Sequence, residues 1–579
     1  MSVDEQNWDR EVDLLVVGSG AGGMTAALAG AERGLDALVV EKSGVYGGST
    51  ALSGGALWIP NSPILVREGR ADDPGDVRKY LESIVGDSVP AERLDAYIEQ
   101  GPAMMRFFEQ NCPHLRFSWC EDYSDYHPEN VGGRPKGRTV EPLPFDMNQL
   151  GADGDLQRPN SLAMPGGLYM TSTEFRHLNM FFRTWAGRRT ALGVGWRSVV
   201  AMLRRRRMET LGQALVGRLR LTLQEAGVPL WLNSPLKGLV TDESGAVTGA
   251  VVESGGQELR IRARRGVMMA TGGFEHSEEM RKRYLREGGK DNYSAGSPDN
   301  TGDGIVAGEQ VGAAVDLMDD AWWMPSFRRP DGIMHVLVSE RSIPPSLIVD
   351  QNGRRFTNEA SPYVSFVHDQ IAGGHDPVWF VFDSKAKSRY QFGGVMPGQK
   401  FPAEWFETGL MQRAASLGEL AQTMGVPAES LSAEIARFNG FARAGVDADF
   451  GRGDSAYDRY YGDPRLPNPT MDEVDRAPYY AVRMEAGDLG TKGGLVCNEH
   501  SQVCRGSGEP IPGLYATGNT SASVMGNDYA GAGATIGPAM VFGWVGARHA
   551  AGAGPRNVTG AGPRNVTGAG PRNVTGAVS

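Results

Sequence analysis

The sequence predicts an α/β protein that contains a Rossmann-like, dinucleotide-binding domain. The first observation is an apolar, β-branched run at residues 12–17, followed at once by a glycine-rich turn and a small-residue helix. The second is a strand pattern at 266–270 that ends at Thr-Gly-Gly, and the third is a similar pattern that ends at Gly518 and Asn519. Short apolar runs that end at glycines are typical of buried parallel strands leading into ligand-binding loops.

The opening unit has the features that a bound dinucleotide requires. The strand leads into Gly18-Ser19-Gly20-Ala21-Gly22-Gly23, the helix reaches Gly34, and a second strand at 35–40 ends at Glu41. Gly18 permits the tight turn, Gly20 lets the backbone approach a pyrophosphate, and Gly23 allows close helix–strand packing. The helix N-terminus favours phosphate, and Glu41 can accept hydrogen bonds from ribose hydroxyls. The alternative, a glycine-rich turn without a ligand, does not account for the acid at the end of the second strand.

A second glycine-rich stretch at residues 41–55 favours a flavin over a nicotinamide, because a simple nicotinamide domain does not need it. With the two later strand–glycine patterns, it resembles the fumarate reductase-like branch of two-domain flavoproteins. That resemblance implies a Rossmann-like FAD-binding domain, discontinuous and built from both chain ends, with an inserted α+β substrate domain. The FAD-binding residues that it implies are Gly18, Ser19, Gly20, Ala21, Gly22, Gly23, Glu41, Lys42, Gly48, Ser49, Thr50, Ser53, Gly54, Gly55, Ala270, Thr271, Gly272, Gly273, Asp303, Gly518, Asn519, Ala534 and Ile536.

The same resemblance predicts the domain limits. The FAD domain is expected from 1–320 and 490–550, and the substrate domain from 321–489. Residues 551–576 repeat GAGPRNVT three times and hold no core-forming side chains, so 551–579 is expected to be a disordered, low-complexity tail.

Composition and charge exclude several classes of function. The 579 residues carry a formal net charge of −11, which argues against a nucleic-acid partner. The four cysteines form no CxxC pair and the nine histidines form no HExxH, so neither a disulfide scaffold nor a metal site is expected. The N-terminus is acidic, and no run of 18 apolar residues occurs, so we expect a cytoplasmic protein.

One basic segment departs from this acidic average. Residues 176–207 contain nine arginines and no acidic residue, interleaved with aromatic and aliphatic side chains. The pattern is typical of a basic surface helix. An alternative interpretation is a surface that lies on anionic lipid at the cytoplasmic face of a membrane.

Tyrosines recur where catalytic groups are expected. Tyr123 and Tyr126 lie in EDYSDYHPE, Tyr363 in NEASPY, and Tyr529 in GNDYAGAGATIG. An apolar helix is predicted to begin near Gly533, so the Tyr529 hydroxyl and the Gly533 N–H could donate to one carbonyl oxygen. Two donors aimed at one oxygen form an oxyanion hole, which stabilises charge as it develops.

Ten stretches make the sequence similar to the bacterial 3-ketosteroid Δ1-dehydrogenases from about residue 12 to 550. The combination of GDLGTKGG, SDYxPE and NExxPY is the most specific part of the resemblance. The stretches are VVGSGAGG, VVEKSGVYGGSTALSGGALWIPN, YSDYHPE, RARRGVMMATGGFEH, NTGDG, LMDDAWW, RRFTNEASPY, GDSAYDRYYGDP, GDLGTKGGL and GLYATGNTSASVMGNDYAGAGATIGPAM.

The resemblance implies a trans elimination across C1–C2 of a 3-ketosteroid A ring. Tyr529 and the Gly533 N–H would hold the C3 carbonyl oxygen, and Tyr363 would take the C2 proton. Tyr126 would hydrogen-bond to Tyr363 and make it a better base. FAD would receive hydride from C1 and pass electrons to an external, quinone-like or dye acceptor. A substrate of the 4-androstene-3,17-dione type is implied.

Two departures from the family pattern concern the surroundings of these tyrosines. His127 stands where a second tyrosine commonly follows, and alanines stand at 530 and 532 where proline is frequent. Three alternatives stay open: desaturation at C4–C5 by a Δ4-(5α)-dehydrogenase, a fumarate reductase-like FAD oxidoreductase for another substrate, and a flavin-binding protein without activity. The second is weakened because no arginine–histidine clamp for a dicarboxylate is evident in the sequence.

Overall fold

The computed structural model describes residues 7–160, 168–286, 289 and 291–552. The predicted tail, from residue 553 onward, lies outside the described residues. The helices are α1 (Ala21–Glu32), α2 (Gly48–Leu52), α3 (Pro63–Arg67), α4 (Pro74–Val85), α5 (Ala91–Asn111), α6 (Ser172–Asn179), α7 (Trp185–Leu203), α8 (Leu211–Glu225), α9 (Glu278–Tyr284), α10 (Asp303–Gln310), α11 (Tyr363–Ala372), α12 (Ser384–Arg389), α13 (Ala403–Glu407), α14 (Leu417–Met424), α15 (Ala428–Ala444), α16 (Ala456–Arg459) and α17 (Ile536–Ala551), with short 3-10 helices at Met147–Asp155, Glu340–Ser342 and Gly518–Thr520.

Within the described part of the chain, the strands fall into five sheets. In chain order they are β1 (Arg10–Val17), β2 (Ala37–Val40), β3 (Leu57–Trp58), β4 (Phe117–Trp119), β5 (Thr139–Pro142), β6 (Phe145–Asp146), β7 (Met208–Glu209), β8 (Leu230–Trp231), β9 (Leu236–Thr241), β10 (Val247–Ser254), β11 (Gln257–Met269), β12 (Val315–Asp316), β13 (Ala321–Arg328), β14 (Met334–Val336), β15 (Ser346–Val349), β16 (Val378–Asp383), β17 (Met411–Ala414), β18 (Tyr479–Thr491), β19 (Gly494–Leu495), β20 (Gln502–Cys504) and β21 (Pro510–Ala516).

The largest sheet joins strands from both ends of the chain. Its order is β20-β21-β11-β1-β2-β8, and β10 and β9 extend it as an antiparallel branch from β11. β1 is parallel to β2 and β11, and β11 is parallel to β21. Helices cover both faces of such a parallel sheet, which is why the end of β1 is continuously apolar and buried. The ligand-binding loops predicted from the sequence follow β1, β11 and β21, and so share one edge of this sheet.

The second large sheet is antiparallel and comes from the middle of the chain. Its order is β14-β13-β18-β16-β15, and β17 also pairs with β18. Tyr363 is the first residue of α11, which packs beside β13. β18 continues through the domain limit predicted at 489–490, and the predicted limits themselves stay predictions.

Helix α17 packs against α1, so the last described helix lies on the first. A Cβ on Gly22 would lie 2.8 Å from the Ala539 carbonyl oxygen, and one on Gly543 would lie 2.3 Å from the Gly22 carbonyl oxygen. Only glycines allow the two backbones to approach so closely. Among the described residues, no helix combines the length and the apolar character that crossing a membrane requires.

Candidate active site

The turn after β1 has the backbone geometry predicted for a dinucleotide loop. Gly18 has φ of +108°, and a Cβ there would lie 2.1 Å from the Ala270 carbonyl oxygen. A Cβ on Gly23 would lie 2.1 Å from the Gly18 carbonyl oxygen. On Gly20 the nearest atom would be Thr50 Oγ1 at 3.6 Å. The first and third glycines are therefore required by packing, whereas Gly20 leaves space beside the helix N-terminus.

Glu41 lies where β2 ends and holds the glycine turn. Its carboxylate accepts hydrogen bonds from the Ser19 N–H (3.0 Å), the Ser19 hydroxyl (2.5 Å) and the Ser43 N–H (3.0 Å). The neighbouring Lys42 donates to Asp303 Oδ2 at 2.8 Å and to Thr301 Oγ1 at 2.7 Å. Two predicted cofactor residues, Lys42 and Asp303, are thus brought together as an ion pair.

The second glycine-rich stretch forms α2 beside this turn. Thr50 Oγ1 accepts from the Ala21 N–H at 3.1 Å, so the stretch contacts the start of α1 directly. Ser49 Oγ accepts from the Ser297 N–H (2.8 Å) and from Asn300 Nδ2 (3.0 Å). The remaining predicted residues of the stretch, Gly48, Ser53, Gly54 and Gly55, lie within α2 or in the turn that follows it.

Predicted residues from the rest of the chain line the same edge. Ala270, Thr271, Gly272 and Gly273 follow β11, and Asp303 starts α10. A small pocket lies near the start of α17, with Ile536 as the first residue of that helix. Its lining includes Gly518, Asn519, Ala534, Trp322 and Arg93.

These residues fit FAD. The N-terminus of α1 has no side-chain cap, so its backbone N–H groups can face a pyrophosphate, and Glu41 lies at the end of the neighbouring strand. The loops after β1, β11 and β21 would hold the cofactor, with α2 closing one side. When bound, FAD supplies the acceptor for two electrons.

Glu275 is a buried acid behind this edge that the sequence did not single out. Its Oε1 accepts from Asn300 Nδ2 at 2.6 Å, and the same amide reaches Ser49. Burial, with a smaller contribution from Asp488, raises the pKa of Glu275 to about 8. The side chain is therefore mainly uncharged at neutral pH.

Three of the predicted catalytic residues meet in one buried cluster. Tyr126 donates a hydrogen bond from its hydroxyl to the Tyr363 hydroxyl oxygen at 2.9 Å. The ring centroids of Tyr126 and Tyr529 are 5.1 Å apart, and those of Tyr363 and Tyr529 are 5.6 Å apart. All three side chains are at least 95% buried. Tyr123, from the same EDYSDYHPE stretch, has its ring centroid 6.3 Å from that of Tyr126.

Burial keeps these phenols protonated in the free protein. It raises the pKa values of Tyr126 and Tyr363 well above 10, and the neighbouring tyrosines add to the effect. The hydrogen bond that Tyr126 donates to Tyr363 partly offsets this rise in the Tyr363 pKa, but the net pKa stays raised. Burial also raises the pKa of Tyr529. Hydrogen bonds with Thr535, Tyr363 and the Gly533 N–H lower that pKa, but by less than burial raises it.

Gly533 lies beside Tyr529 in a turn that only glycine can form. Its φ is +91°, and a Cβ would lie 2.4 Å from the Ala56 carbonyl carbon. Tyr529 Oη accepts from the Thr535 hydroxyl at 2.9 Å, which leaves its own proton free to donate. α17 begins at Ile536, three residues later than predicted, because 532–535 form a turn before it.

Several neighbours of the cluster were not predicted. The Tyr457 ring lies 4.7 Å from that of Tyr126, and the Trp322 ring lies 5.0 Å from that of Tyr529. Buried Lys492 lies 5.0 Å from the Trp322 ring centroid. These residues stand in GDSAYDRYYGDP, LMDDAWW and GDLGTKGG. The family resemblance therefore included all three stretches, but it did not indicate that these residues lie beside the tyrosines.

Comparisons with known proteins agree with this geometry. Residues 13–536 match the FAD binding domain family. The 3-oxosteroid 1-dehydrogenase of Mycobacterium tuberculosis (strain ATCC 25618 / H37Rv) is 47% identical over 94% of this chain and 98% of its own.

Two solved structures bear on the fold. The 3-ketosteroid delta1-dehydrogenase from Sterolibacterium denitrificans, in complex with 1,4-androstadiene-3,17-dione, has a TM-score of 0.88 and 39% identity over 94% of this chain and 99% of that one. The 3-ketosteroid-delta4-(5alpha)-dehydrogenase from Rhodococcus jostii RHA1 has a TM-score of 0.64 and 22% identity over 95% and 99%, which shows a shared fold only.

The predicted α/β flavoprotein fold, the FAD cofactor and the family resemblance are confirmed by these matches. The specific roles of the four catalytic candidates, Tyr126, Tyr363, Tyr529 and Gly533, stay predictions. With a family match over most of its length and a relative that is nearly half identical end to end, the chain belongs to the FAD binding domain family and, within it, to the 3-oxosteroid 1-dehydrogenases.

Proposed function

We propose that this protein catalyses the FAD-dependent 1,2-desaturation of the A ring of 3-ketosteroids of the 4-androstene-3,17-dione type. The observation that carries the proposal is the buried convergence of Tyr126, Tyr363 and Tyr529 beside Gly533. An enolising ketone requires a base and a stabilised carbonyl oxygen. The phenol pair can remove the proton, and the two-donor site can stabilise the carbonyl oxygen.

Tyr529 and Gly533 polarise the ketone. Since Thr535 donates to the Tyr529 oxygen, the Tyr529 proton is available to the C3 carbonyl oxygen. The Gly533 N–H interacts with the Tyr529 oxygen in the free protein, and it is the proposed second donor to the carbonyl oxygen when the steroid binds. As the enol forms, negative charge grows on that oxygen and both hydrogen bonds strengthen. The C–H bond at C2 becomes more acidic as a result.

Tyr363 accepts the C2 proton. Its raised pKa means that little phenolate is present at neutral pH, but the phenolate is a strong base once formed. The hydroxyl of Tyr126 donates to the Tyr363 oxygen and so stabilises that phenolate. Turnover is therefore expected to rise with pH through the alkaline range.

The experiment is turnover of paired steroids by purified, FAD-loaded protein with an artificial acceptor. We expect anaerobic 4-androstene-3,17-dione to bleach the flavin and to yield the 1,4-diene. If 5α-androstane-3,17-dione gives only the 4-ene, the Δ4-(5α) alternative is favoured. If no steroid is turned over, but flavin that has been reduced with dithionite is reoxidised by fumarate, the fumarate reductase-like alternative is favoured.

The further partners and the domain limits are part of the same proposal. FAD, when bound, would supply the electrons that leave the protein, and their acceptor would be an external, quinone-like molecule or a dye. The FAD domain comprises 1–320 and 490–550, and 321–489 forms the substrate domain. The strand order supports this division, because β1, β11 and β21 share one sheet and β13–β18 another.

We also propose that the protein works in the cytoplasm, in peripheral contact with a membrane through residues 176–207. Helix α7 exposes apolar side chains that a surface helix normally buries: Trp185 is 75% exposed, Trp196 is 72% exposed and Leu203 is 76% exposed. Exposed arginines stand beside them, at 188, 189, 204 and 205. Aromatic rings with flanking arginines suit the interface of an anionic bilayer.

The test is co-sedimentation with phosphatidylglycerol and phosphatidylcholine vesicles. We expect binding to the anionic vesicles, weakening as salt is added. The double substitution Trp185→Ser and Trp196→Ser should reduce it about tenfold or more, whereas Val131→Ser, at an exposed valine outside the segment, should not. Equal binding at low and high salt, or none, contradicts the contact.

A further inference from the structure

The two loops that carry Tyr126 and Tyr529 are joined by a main-chain hydrogen bond and by the hydroxyl of Tyr80. The Tyr126 N–H donates to the Ala530 carbonyl oxygen at 3.1 Å. Tyr80, from α4, donates its hydroxyl proton to the same oxygen at 2.6 Å and accepts from the His127 N–H at 3.2 Å. Tyr126, which donates to the proposed base Tyr363, and the proposed ketone donor Tyr529 therefore depend on each other for their relative placement.

An ion pair between side chains adds to this junction. His127 Nε2 lies 3.0 Å from Asp528 Oδ1, and the same carboxylate oxygen accepts from the Tyr529 N–H at 2.7 Å. His127 directly follows Tyr126, and Asp528 directly precedes Tyr529. The pair thus connects the backbone positions adjoining both tyrosines.

The Tyr529 loop is also held from its other side. Lys492 Nζ donates to the Asp528 carbonyl oxygen at 3.1 Å and lies 3.2 Å from Asp320 Oδ2. His368 Nε2 lies 2.8 Å from the other oxygen of Asp320. With Lys492 anchored in this way, His127 is the contact of Asp528 that ties it to the Tyr126 loop.

The charges around the pair favour its ionised form. Burial lowers the pKa of His127, but Asp528, Glu129 and Asp125 together raise it above the ordinary value of 6.5. Burial raises the pKa of Asp528, but His127 and Lys492 lower it below the ordinary value of 3.8. The charged form of His127 is therefore favoured relative to an ordinary imidazole, and the charge is lost as the pH rises through the raised pKa.

We propose that His127 is a positioning residue whose ion pair with Asp528 holds the Tyr529 loop against the Tyr126 loop, in the spacing that a bound 3-ketosteroid requires. The inference rests on the proposed function. It assigns a role to a position at which this chain departs from its family, where a tyrosine commonly stands. A tyrosine could not form the ion pair, so the spacing in this chain is expected to depend on pH in a way of its own.

The test is the affinity of FAD-loaded protein for 1,4-androstadiene-3,17-dione, followed by the change in flavin absorption from about pH 6 to about pH 9. We expect wild-type affinity to fall as His127 deprotonates. His127→Ala should bind about tenfold more weakly at neutral pH, with KM raised more than kcat is lowered. His127→Gln, which keeps a donor, should recover part of the affinity, and neither variant should show the wild-type pH dependence.

A matched control is His114→Gln, because His114 pairs with Glu225 at 2.8 Å on the surface and away from the tyrosines. Wild-type affinity and an unchanged pH profile in both His127 variants overturn the inference while leaving the proposed function intact. Failure of the wild type to turn over any 3-ketosteroid is a separate result and overturns the proposed function itself.

Discussion

The cofactor side and the tyrosine side of the candidate active site are built in opposite ways. The cofactor side begins with one local unit, β1–α1–β2, in which glycines bring the backbone close to a ligand and charged groups such as Glu41 fix the loops. The tyrosine side is assembled from segments hundreds of residues apart, and its reactive groups are neutral hydroxyls in a buried cluster. Recognition of the cofactor therefore depends on backbone shape, whereas the proposed chemistry depends on individual side chains.

The largest effect is expected for Gly18→Ala, which changes the backbone shape of the cofactor side. The new Cβ would lie 2.1 Å from the Ala270 carbonyl oxygen at a φ of +108°, a cost of about 3 kcal/mol or more. We expect purified protein without yellow colour and without bound flavin. Gly34→Ala is the control, because Gly34 also has a positive φ but nothing lies within 4 Å of its Cβ position. A yellow Gly18→Ala protein with wild-type flavin content contradicts the prediction.

Tyr363→Phe removes one hydroxyl from the tyrosine side and should leave the cofactor side unchanged. We expect kcat to fall about 10²–10⁴-fold, the usual contribution of a general base, with flavin content and steroid affinity nearly unchanged. Stopped-flow reduction of the flavin measures this directly. Tyr515→Phe removes a buried hydroxyl that contacts His549 instead and should keep wild-type rates. A fall of less than tenfold for Tyr363→Phe removes it from the role of base.

Glu275→Gln tests whether the buried acid behind the cofactor side is uncharged. Because folding raises its pKa from 4.5 to about 8, the folded protein holds this proton more tightly than the unfolded chain. Stability from this group is complete below pH 4.5 and is lost as the pH rises to about 8. In urea unfolding, the wild type should lose about 1.4 kcal/mol per pH unit relative to the variant in that window.

The control for this measurement is Glu509→Gln, at an exposed acid between β20 and β21. This control variant should lose stability with rising pH as the wild type does, because it keeps Glu275. Parallel stability curves for wild type and Glu275→Gln would show that Glu275 is ionised in the folded protein.

The smallest effect is expected for Tyr457→Phe. Its ring packs 4.7 Å from that of Tyr126, and its hydroxyl makes a hydrogen bond with Arg341. Loss of one hydrogen bond costs about 1 kcal/mol, so a change in kcat/KM of less than about tenfold is expected. A loss as large as that of Tyr363→Phe would place the Tyr457 hydroxyl among the reacting groups.

The sequence predicted the cofactor side well because its signals are local. Strand, turn, helix and acid follow one another within residues 12–41, so periodicity and spacing alone predict their contact. The tyrosines could be gathered only through the family resemblance, since no local pattern relates Tyr126 to Tyr363. The structure brings them to a distance of 2.9 Å.

What the sequence could not supply are the pairings of charged groups. Lys42 with Asp303, and His127 with Asp528, are separated by hundreds of residues, and each has other acids or bases nearer in sequence. The start of α17 was also missed, because glycine and alanine at 530–534 suit a turn as well as a helix. Burial of Glu275 could not be foreseen, since an acid beside a histidine normally suggests a surface.

The glycine contact between α1 and α17 has a consequence for biosynthesis. The first cofactor loop, after β1, emerges from the ribosome early, but the helix that packs on α1 through Gly22 and Gly543 is synthesised only after β21. A nascent polypeptide that still lacks α17 thus lacks one wall of its flavin pocket. We therefore expect stable loading with flavin only after α17 docks on α1, and the yield of holoenzyme should depend on how long the incomplete pocket survives in the cell.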